Sequence, residues 1–129
     1  MPPVADLTVD SRRQAVLVVD DDDECRAMLA QALTLVGFAV RTAVDGYDAL
    51  SKIDRDCPAV VVLDVNMPRV DGWAVCRALA ASDATRSLPV VIVSGEARLH
   101  VETPNVVSLL RKPFDLDAVI GAVRSAARS

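Results

Sequence analysis

Four short hydrophobic runs along the chain end abruptly at polar residues. The runs span residues 16–19, 60–63, 90–93 and 106–110, and they are followed in order by Asp20-Asp21, Asp64, Ser94 and Arg111-Lys112-Pro113. Valine-rich runs of this length are typical of strands that are buried on both faces of a parallel sheet. Because the carboxyl ends of parallel strands meet at one edge, we expect these polar groups to share that edge.

Strand and helix signals alternate along the rest of the chain. The predicted strands span residues 15–19, 38–43, 59–63, 90–93 and 106–110. The predicted helices begin near Asp22 or Asp23, at Asp45, near Asp71-Gly72 and at Asp115. Aspartate suits each of these starts because its carboxylate accepts the free amides of a first turn. Alternating strands and helices predict an α/β fold in which helices cover both faces of a parallel sheet.

The stretch between the fourth and fifth strands carries only a weak pattern. Residues 97–102 could form one or two turns of helix, and Pro104 limits any continuation. The helix that follows the fourth strand is therefore expected to be short, irregular or absent. Residues 1–14 show no period and are expected to form a flexible tail, which leaves residues 15–128 as one domain.

Composition narrows the possible partners and the compartment. The net charge is −4 and aromatic residues make up 3% of the chain, so we expect no binding to nucleic acid or to an anionic membrane. Three cysteines without metal-ligand spacing indicate reduced thiols and a cytoplasmic protein. No apolar run approaches the ~20 residues of a membrane span, and no signal peptide is recognisable.

The carboxylates of Asp20, Asp21 and Asp64 are the first chemical candidates. Two like charges ~4 Å apart repel by about 4 kcal/mol at an effective dielectric constant near 20, so such a cluster favours a bound cation. Mg²⁺ accepts hard oxygen ligands of this kind. Asp64 stands alone at its strand end and is the best nucleophile for a phosphoryl group. Asp22 and Asp23 could extend this cluster or only cap a helix.

Ser94 and Lys112 are the second pair of candidates. A hydroxyl can donate to one phosphoryl oxygen, and an ammonium group can offset the charge of another. Lys112 is one of only two lysines in the chain. Taken alone, a serine after a strand is also common as a turn former.

These residues occur in an order that resembles the receiver domain of two-component response regulators. The resemblance rests on residues 16–21, residues 63–68 with Asp71-Gly72, residues 88–97, and Lys112-Pro113-Phe114. It covers nearly the whole chain. It implies a flavodoxin-like, doubly wound, five-stranded parallel sheet with the strand order 2-1-3-4-5. Asn66 and Glu96 are similar to their counterparts in single-domain, chemotaxis-type receivers.

The resemblance also implies a role for each candidate residue. Asp64 would be the phosphoacceptor, and Asp20, Asp21, Asp64 and the backbone carbonyl of Asn66 would hold Mg²⁺ or Mn²⁺. Ser94 and Lys112 would contact the phosphoryl group, and the bond between Lys112 and Pro113 is a candidate cis peptide. The implied partners are a sensor histidine kinase or histidine phosphotransfer protein and an unknown downstream protein. Such a domain is a phosphoacceptor and not an enzyme, apart from self-catalysed phosphotransfer and dephosphorylation.

One position departs from the family pattern. The family usually places Tyr or Phe two or three residues before the lysine, whereas this chain has Leu109. A receiver-like interaction module with lost or atypical switching is therefore an alternative. A small hydrolase with an aspartyl nucleophile is a third possibility. It would need a carboxylate as general acid two residues after Asp64, where Asn66 stands.

Overall fold

The computed structural model describes residues 14–67, 71–95 and 103–128. Its strands are β1 (Ala15–Val19), β2 (Ala39–Ala43), β3 (Val60–Leu63), β4 (Val90–Ser94) and β5 (Val106–Arg111). Its helices are α1 (Asp23–Leu35), α2 (Gly46–Arg55), α3 (Gly72–Ala80) and α4 (Leu116–Ala127). None of the helices in the described ranges has the length and apolarity to cross a bilayer.

The five strands form one parallel sheet with the order β2-β1-β3-β4-β5, which confirms the predicted topology. The central strand β3 is wholly apolar and fully buried, and in β4 only the terminal Ser94 is polar. One apolar cluster packs beneath α2 and α3, and a second packs beneath α1 and α4. The sheet is therefore packed on both faces, and its strand ends lie at the edge of this core.

All four described helices begin next to an aspartate cap. The carboxylates of Asp45 and Asp71 accept the backbone amides of Asp48 and Ala74, each at 2.8 Å. Asp22 and Asp115 cap α1 and α4 in the same way. Each cap satisfies an amide that has no partner within its own helix, so the predicted helix starts are accurate.

Several predicted boundaries were wrong by one residue. Phe38 lies outside β2 because its amide donates to the carbonyl of Leu33 at 3.1 Å and closes the end of α1. Gly37 permits this reversal with a φ of 107°. Ala59 precedes β3, while Ser94 and Arg111 extend β4 and β5 beyond their predicted ends.

Helix α1 packs on the sheet through a narrow apolar stripe. It buries Cys25, Leu29 and Leu33, which lie four residues apart. Met28 and Val36 also have helical spacing, but they are 43% and 37% exposed. The expected tail lies almost entirely outside the described residues, as do the predicted turns of helix over residues 97–102.

Candidate functional site

The ends of four strands bring the candidate side chains to one edge of the sheet. Asp20 and Asp64 follow β1 and β3, Ser94 ends β4, and Lys112 follows β5. The amide of Asp64 donates to the carbonyl of Val19 at 3.0 Å, and that of Lys112 donates to Ser94 at 2.8 Å. The backbone hydrogen bonds between strands thus continue past the strand ends and fix the positions of Asp64 and Lys112 along the sheet.

Lys112 reaches across this edge to two carboxylates. Its Nζ lies 3.5 Å from Oδ2 of Asp20 and 3.6 Å from Oδ2 of Asp64. Asp20 and Asp64 are both buried, whereas the lysine is partly open to solvent. Residues that are 92 positions apart in the chain, Asp20 and Lys112, therefore form one charged group.

Three carboxylates face one another at this point. One oxygen each from Asp20, Asp21 and Asp64 lies within 4.8 Å of the others, and Asp21 is the exposed member. A set of anionic oxygens with one open side fits Mg²⁺, which keeps several of its waters. The residues present therefore suit a divalent cation of that kind.

Local hydrogen bonds orient the two buried carboxylates. Oδ1 of Asp20 accepts the amide of Asp22 at 2.9 Å, and Oδ1 of Asp64 accepts the amide of Asn66 at 3.0 Å. Each bond occupies one oxygen and leaves Oδ2 of the same carboxylate toward Lys112. Asp22 thus contributes to the site through its backbone, while its side chain caps α1.

Arg26 is a structural residue of the site that the sequence pattern did not indicate. Its guanidinium donates to the carbonyl of Asp20 at 2.9 Å and pairs with Asp23 at 2.6 Å. The pair with Asp23 could have been found from its i,i+3 spacing on a helix. The bond to Asp20 depends on how α1 leaves β1 and has no signal in the sequence.

Cys25 also lies next to the site. It was predicted only as an apolar residue of α1, and it is indeed buried. Burial, a hydrogen bond with the Asp20 side chain and the negative charge of Asp20 together raise the pKa of the thiol to about 12. The thiol therefore stays protonated at neutral pH beside a carboxylate.

Ser94, Leu109 and Pro113 are the remaining residues that the sequence singled out. Ser94 is fully buried at the end of β4. Leu109 is partly buried against the apolar cluster beneath α2 and α3, and its register partner is Ile92. The peptide bond between Lys112 and Pro113 is cis. Glu96 lies outside the described residues.

Gly72 holds the segment that carries Asp64 by close backbone contact. A Cβ at Gly72 would lie 2.4 Å from Cα of Val65 and 2.7 Å from the carbonyl oxygen of Asp64. The amide of Gly72 also donates to the carbonyl of Val65 at 3.0 Å. The sequence marked Gly72 only as a helix start, because a tertiary contact of this kind has no local pattern.

The charges of the site shift two pKa values. Burial raises the pKa of Asp64, and the negative charges of Asp20 and Asp21 add to this, against the opposing effects of the Asn66 amide and Lys112. Burial alone would lower the pKa of Lys112, but the charges of Asp64 and Asp20 outweigh it and raise the pKa. The site thus opposes the ionisation of Asp64 and favours the protonated form of Lys112.

The raised pKa of Asp64 predicts a pH-dependent effect of the Asp64→Asn substitution on stability, measured in a metal chelator. The folded state binds the Asp64 proton more tightly than the unfolded state, so stability is lost as pH rises from about 3.8 through the raised pKa. The variant cannot ionise, so the free energy of unfolding of Asp64→Asn minus that of the wild type should grow as pH rises from 3.8 through the raised pKa and then stay constant. Urea unfolding at several pH values measures the difference.

Asp83→Asn is a matched control for this experiment. Asp83 is exposed and pairs with Arg86 at 3.2 Å, so its removal should change stability little. A stability difference for Asp64→Asn that is constant across the pH range would contradict the burial of an ionised carboxylate.

Comparisons with known proteins agree with this geometry. A family model described as the response regulator receiver domain matches residues 16–124. Protein PilG of Pseudomonas aeruginosa is 33% identical over 114 residues, which cover 85% of this chain and 84% of PilG. The transcriptional regulatory protein PrrA of Mycobacterium tuberculosis is 38% identical over 88% of this chain, but this chain spans only 49% of PrrA. The structure of chemotaxis protein CheY4 from Vibrio cholerae has a TM-score of 0.78 and 26% identity, and the match covers 88% of this chain and 98% of that one.

Proposed function

Because this chain belongs to the response regulator receiver domain family, we propose that Asp64 accepts a phosphoryl group from a sensor histidine kinase or a histidine phosphotransfer protein. The domain in question spans residues 15–128. The observation that carries the proposal is the convergence of three carboxylates and Lys112 at one edge of the sheet. This convergence unites a nucleophile, a cation site and a positive charge for the incoming group.

Each residue has a distinct part in the transfer. Oδ2 of Asp64 attacks phosphorus, an O–P bond forms, and the N–P bond of the donor phosphohistidine breaks with its electron pair left on the imidazole. Lys112 pairs with one phosphoryl oxygen once Asp64 no longer carries a free carboxylate. Asp20, Asp21, Asp64 and the Asn66 carbonyl would hold Mg²⁺ or Mn²⁺, whose charge offsets the repulsion between carboxylates and phosphoryl oxygens.

The output of the switch is a change of protein contacts. Phosphorylation adds charge at a site where Ser94 is buried and Lys112 is already paired. Movement of these two groups toward the phosphoryl oxygens would bias the surrounding backbone between two states. A net charge of −4 gives no support to nucleic-acid binding, so we propose a cytoplasmic protein as the downstream partner.

Phosphorylation by a small acyl phosphate tests the proposed function directly. We expect the wild-type chain to gain the mass of one phosphoryl group when it is incubated with acetyl phosphate and Mg²⁺, and to gain none when a chelator is present. The modification should be lost on alkaline treatment, as an acyl phosphate is, and added phosphate esters should not be turned over. A chain that stays unmodified, or that hydrolyses many esters, would contradict the proposal.

Leu109 favours a variation on this function in which phosphorylation occurs but switching is atypical. An aliphatic side chain that packs against the core lacks the aromatic ring of the family's usual residue. Backbone amide shifts with and without a phosphoryl mimic would distinguish the two cases. Shifts confined to the neighbourhood of Asp64 would indicate atypical switching, and shifts that extend through β5 would indicate ordinary switching.

A further inference from the structure

A cavity with none of the carboxylate-site residues in its lining lies between the edge strand β2 and helix α2. Its volume is about 380 Å³, and it is lined by Arg41, Thr42, Lys52 and Arg55. Three of the four lining side chains are cationic in a chain whose net charge is −4. None of the four is part of the proposed phosphotransfer site, so the cavity requires its own explanation.

The two arginines of this cavity have only neutral partners. Arg41 donates to the backbone carbonyl of Asp56 at 2.6 Å, and Arg55 donates to Oγ of Ser51 at 3.3 Å. Within residues 14–67, 71–95 and 103–128, no carboxylate lies within ion-pair distance of either guanidinium. Each guanidinium therefore keeps several donors for another partner. The Asp48 carboxylate interacts electrostatically with Arg55 as well as with Lys52.

Lys52 is partly neutralised and fixed in place. Its ammonium group lies 3.2 Å from Oδ2 of Asp48 and donates to the carbonyl of Thr42 at 2.6 Å. One carboxylate thus faces three cations around the cavity. Such an excess of positive charge at a concave surface attracts small anions.

We infer that this cavity binds the phosphate groups of a small anionic molecule. Guanidinium groups match phosphate oxygens with paired donors, and Lys52 adds a point charge from the helix side. The volume is within the range of small-molecule sites and exceeds the need of one phosphate group. A diphosphate therefore offers more anionic oxygens to these three cationic side chains than a single carboxylate does.

Titration with inorganic pyrophosphate tests this inference on the full chain. The titration is run in a metal chelator, where the carboxylates near Asp64 repel anions. We expect saturable changes in the backbone amide resonances of residues 40–56 and none around Asp64. Arg55→Gln should weaken binding at least about tenfold, since it removes a charge-assisted bond. Arg41→Gln should have a similar effect.

The choice of variants keeps the outcome interpretable. Arg55 is exposed and its guanidinium donates to Ser51 within the same helix, so its replacement should leave the fold intact. Arg86→Gln is the matched control, because Arg86 is an exposed arginine that does not line this cavity. The absence of saturable shifts, or equal weakening by Arg86→Gln, would overturn the inference. Adenosine diphosphate in a second titration distinguishes a nucleotide, which would bind more tightly than pyrophosphate, from a site for the phosphate groups alone.

Discussion

Replacing Asp64 with asparagine should abolish phosphoryl transfer to this chain. The amide is not a competent nucleophile at neutral pH, yet its oxygen can still accept the Asn66 amide that orients Asp64. The fold and the position of the side chain should therefore persist while the chemistry is lost. Intact mass after incubation with acetyl phosphate and Mg²⁺ should show no phosphorylated Asp64→Asn.

Asp71→Asn is the control for this loss. Asp71 lies on the same connection between β3 and α3, but it is exposed and caps α3 through the amide of Ala74. Asparagine caps helices about as well as aspartate, so this variant should be phosphorylated like the wild type. A phosphoryl group that persists in Asp64→Asn would place the acceptor on another residue and would contradict the proposed function.

Gly72→Ala should both destabilise the fold and impair the site. The added methyl group would lie 2.4 Å from Cα of Val65, and these are backbone atoms that cannot move aside as a flexible side chain can. Relief requires a shift of the segment from Asp64 to Val65, which we expect to cost about 1–3 kcal/mol of the free energy of unfolding. Urea unfolding measures this cost, and the rate of phosphorylation by acetyl phosphate should fall with it.

Gly121→Ala separates this contact from the general effect of adding a methyl group to a helix. Gly121 lies inside α4, and a Cβ there would meet nothing within 4 Å. Alanine is favoured over glycine in helix interiors by about 1 kcal/mol, so Gly121→Ala should be stabilising and phosphorylated normally. Wild-type stability and phosphorylation in Gly72→Ala would show that the backbone of α3 does not hold Asp64 in place.

The elements that the sequence predicted well are those with local signals. Valine-rich runs indicated β1, β3, β4 and β5 to within one residue. For β1, β3 and β4 the reason is that strands buried on both faces need no polar alternation, whereas β5 is an edge strand with Val107 exposed. Aspartates indicated the starts of the described helices for an equally local reason. The strand order depended on the family resemblance and not on the pattern, since crossover connections allow more than one order.

The elements that were missed depend on contacts between distant segments. Phe38 reads as a strand residue until the end of α1 takes its amide. Met28 and Val36 have helical spacing but are 43% and 37% exposed, so spacing alone does not decide which apolar residues of α1 are buried. Arg26 and Gly72 act on Asp20 and Asp64 only because two helices leave the sheet close to the strand ends.

The amino-acid sequence alone was enough to identify the polar residues at the strand ends, because local hydrophobicity marks where each buried strand stops. The tertiary structure was needed to show that Nζ of Lys112 lies within 4 Å of carboxylate oxygens of Asp20 and Asp64. It was also needed to show that Arg41 and Arg55 line one cavity and hydrogen-bond there to neutral groups. The physical reason is that burial and hydrogen bonding are local preferences, whereas the distance between two charges depends on every strand and helix packed between them.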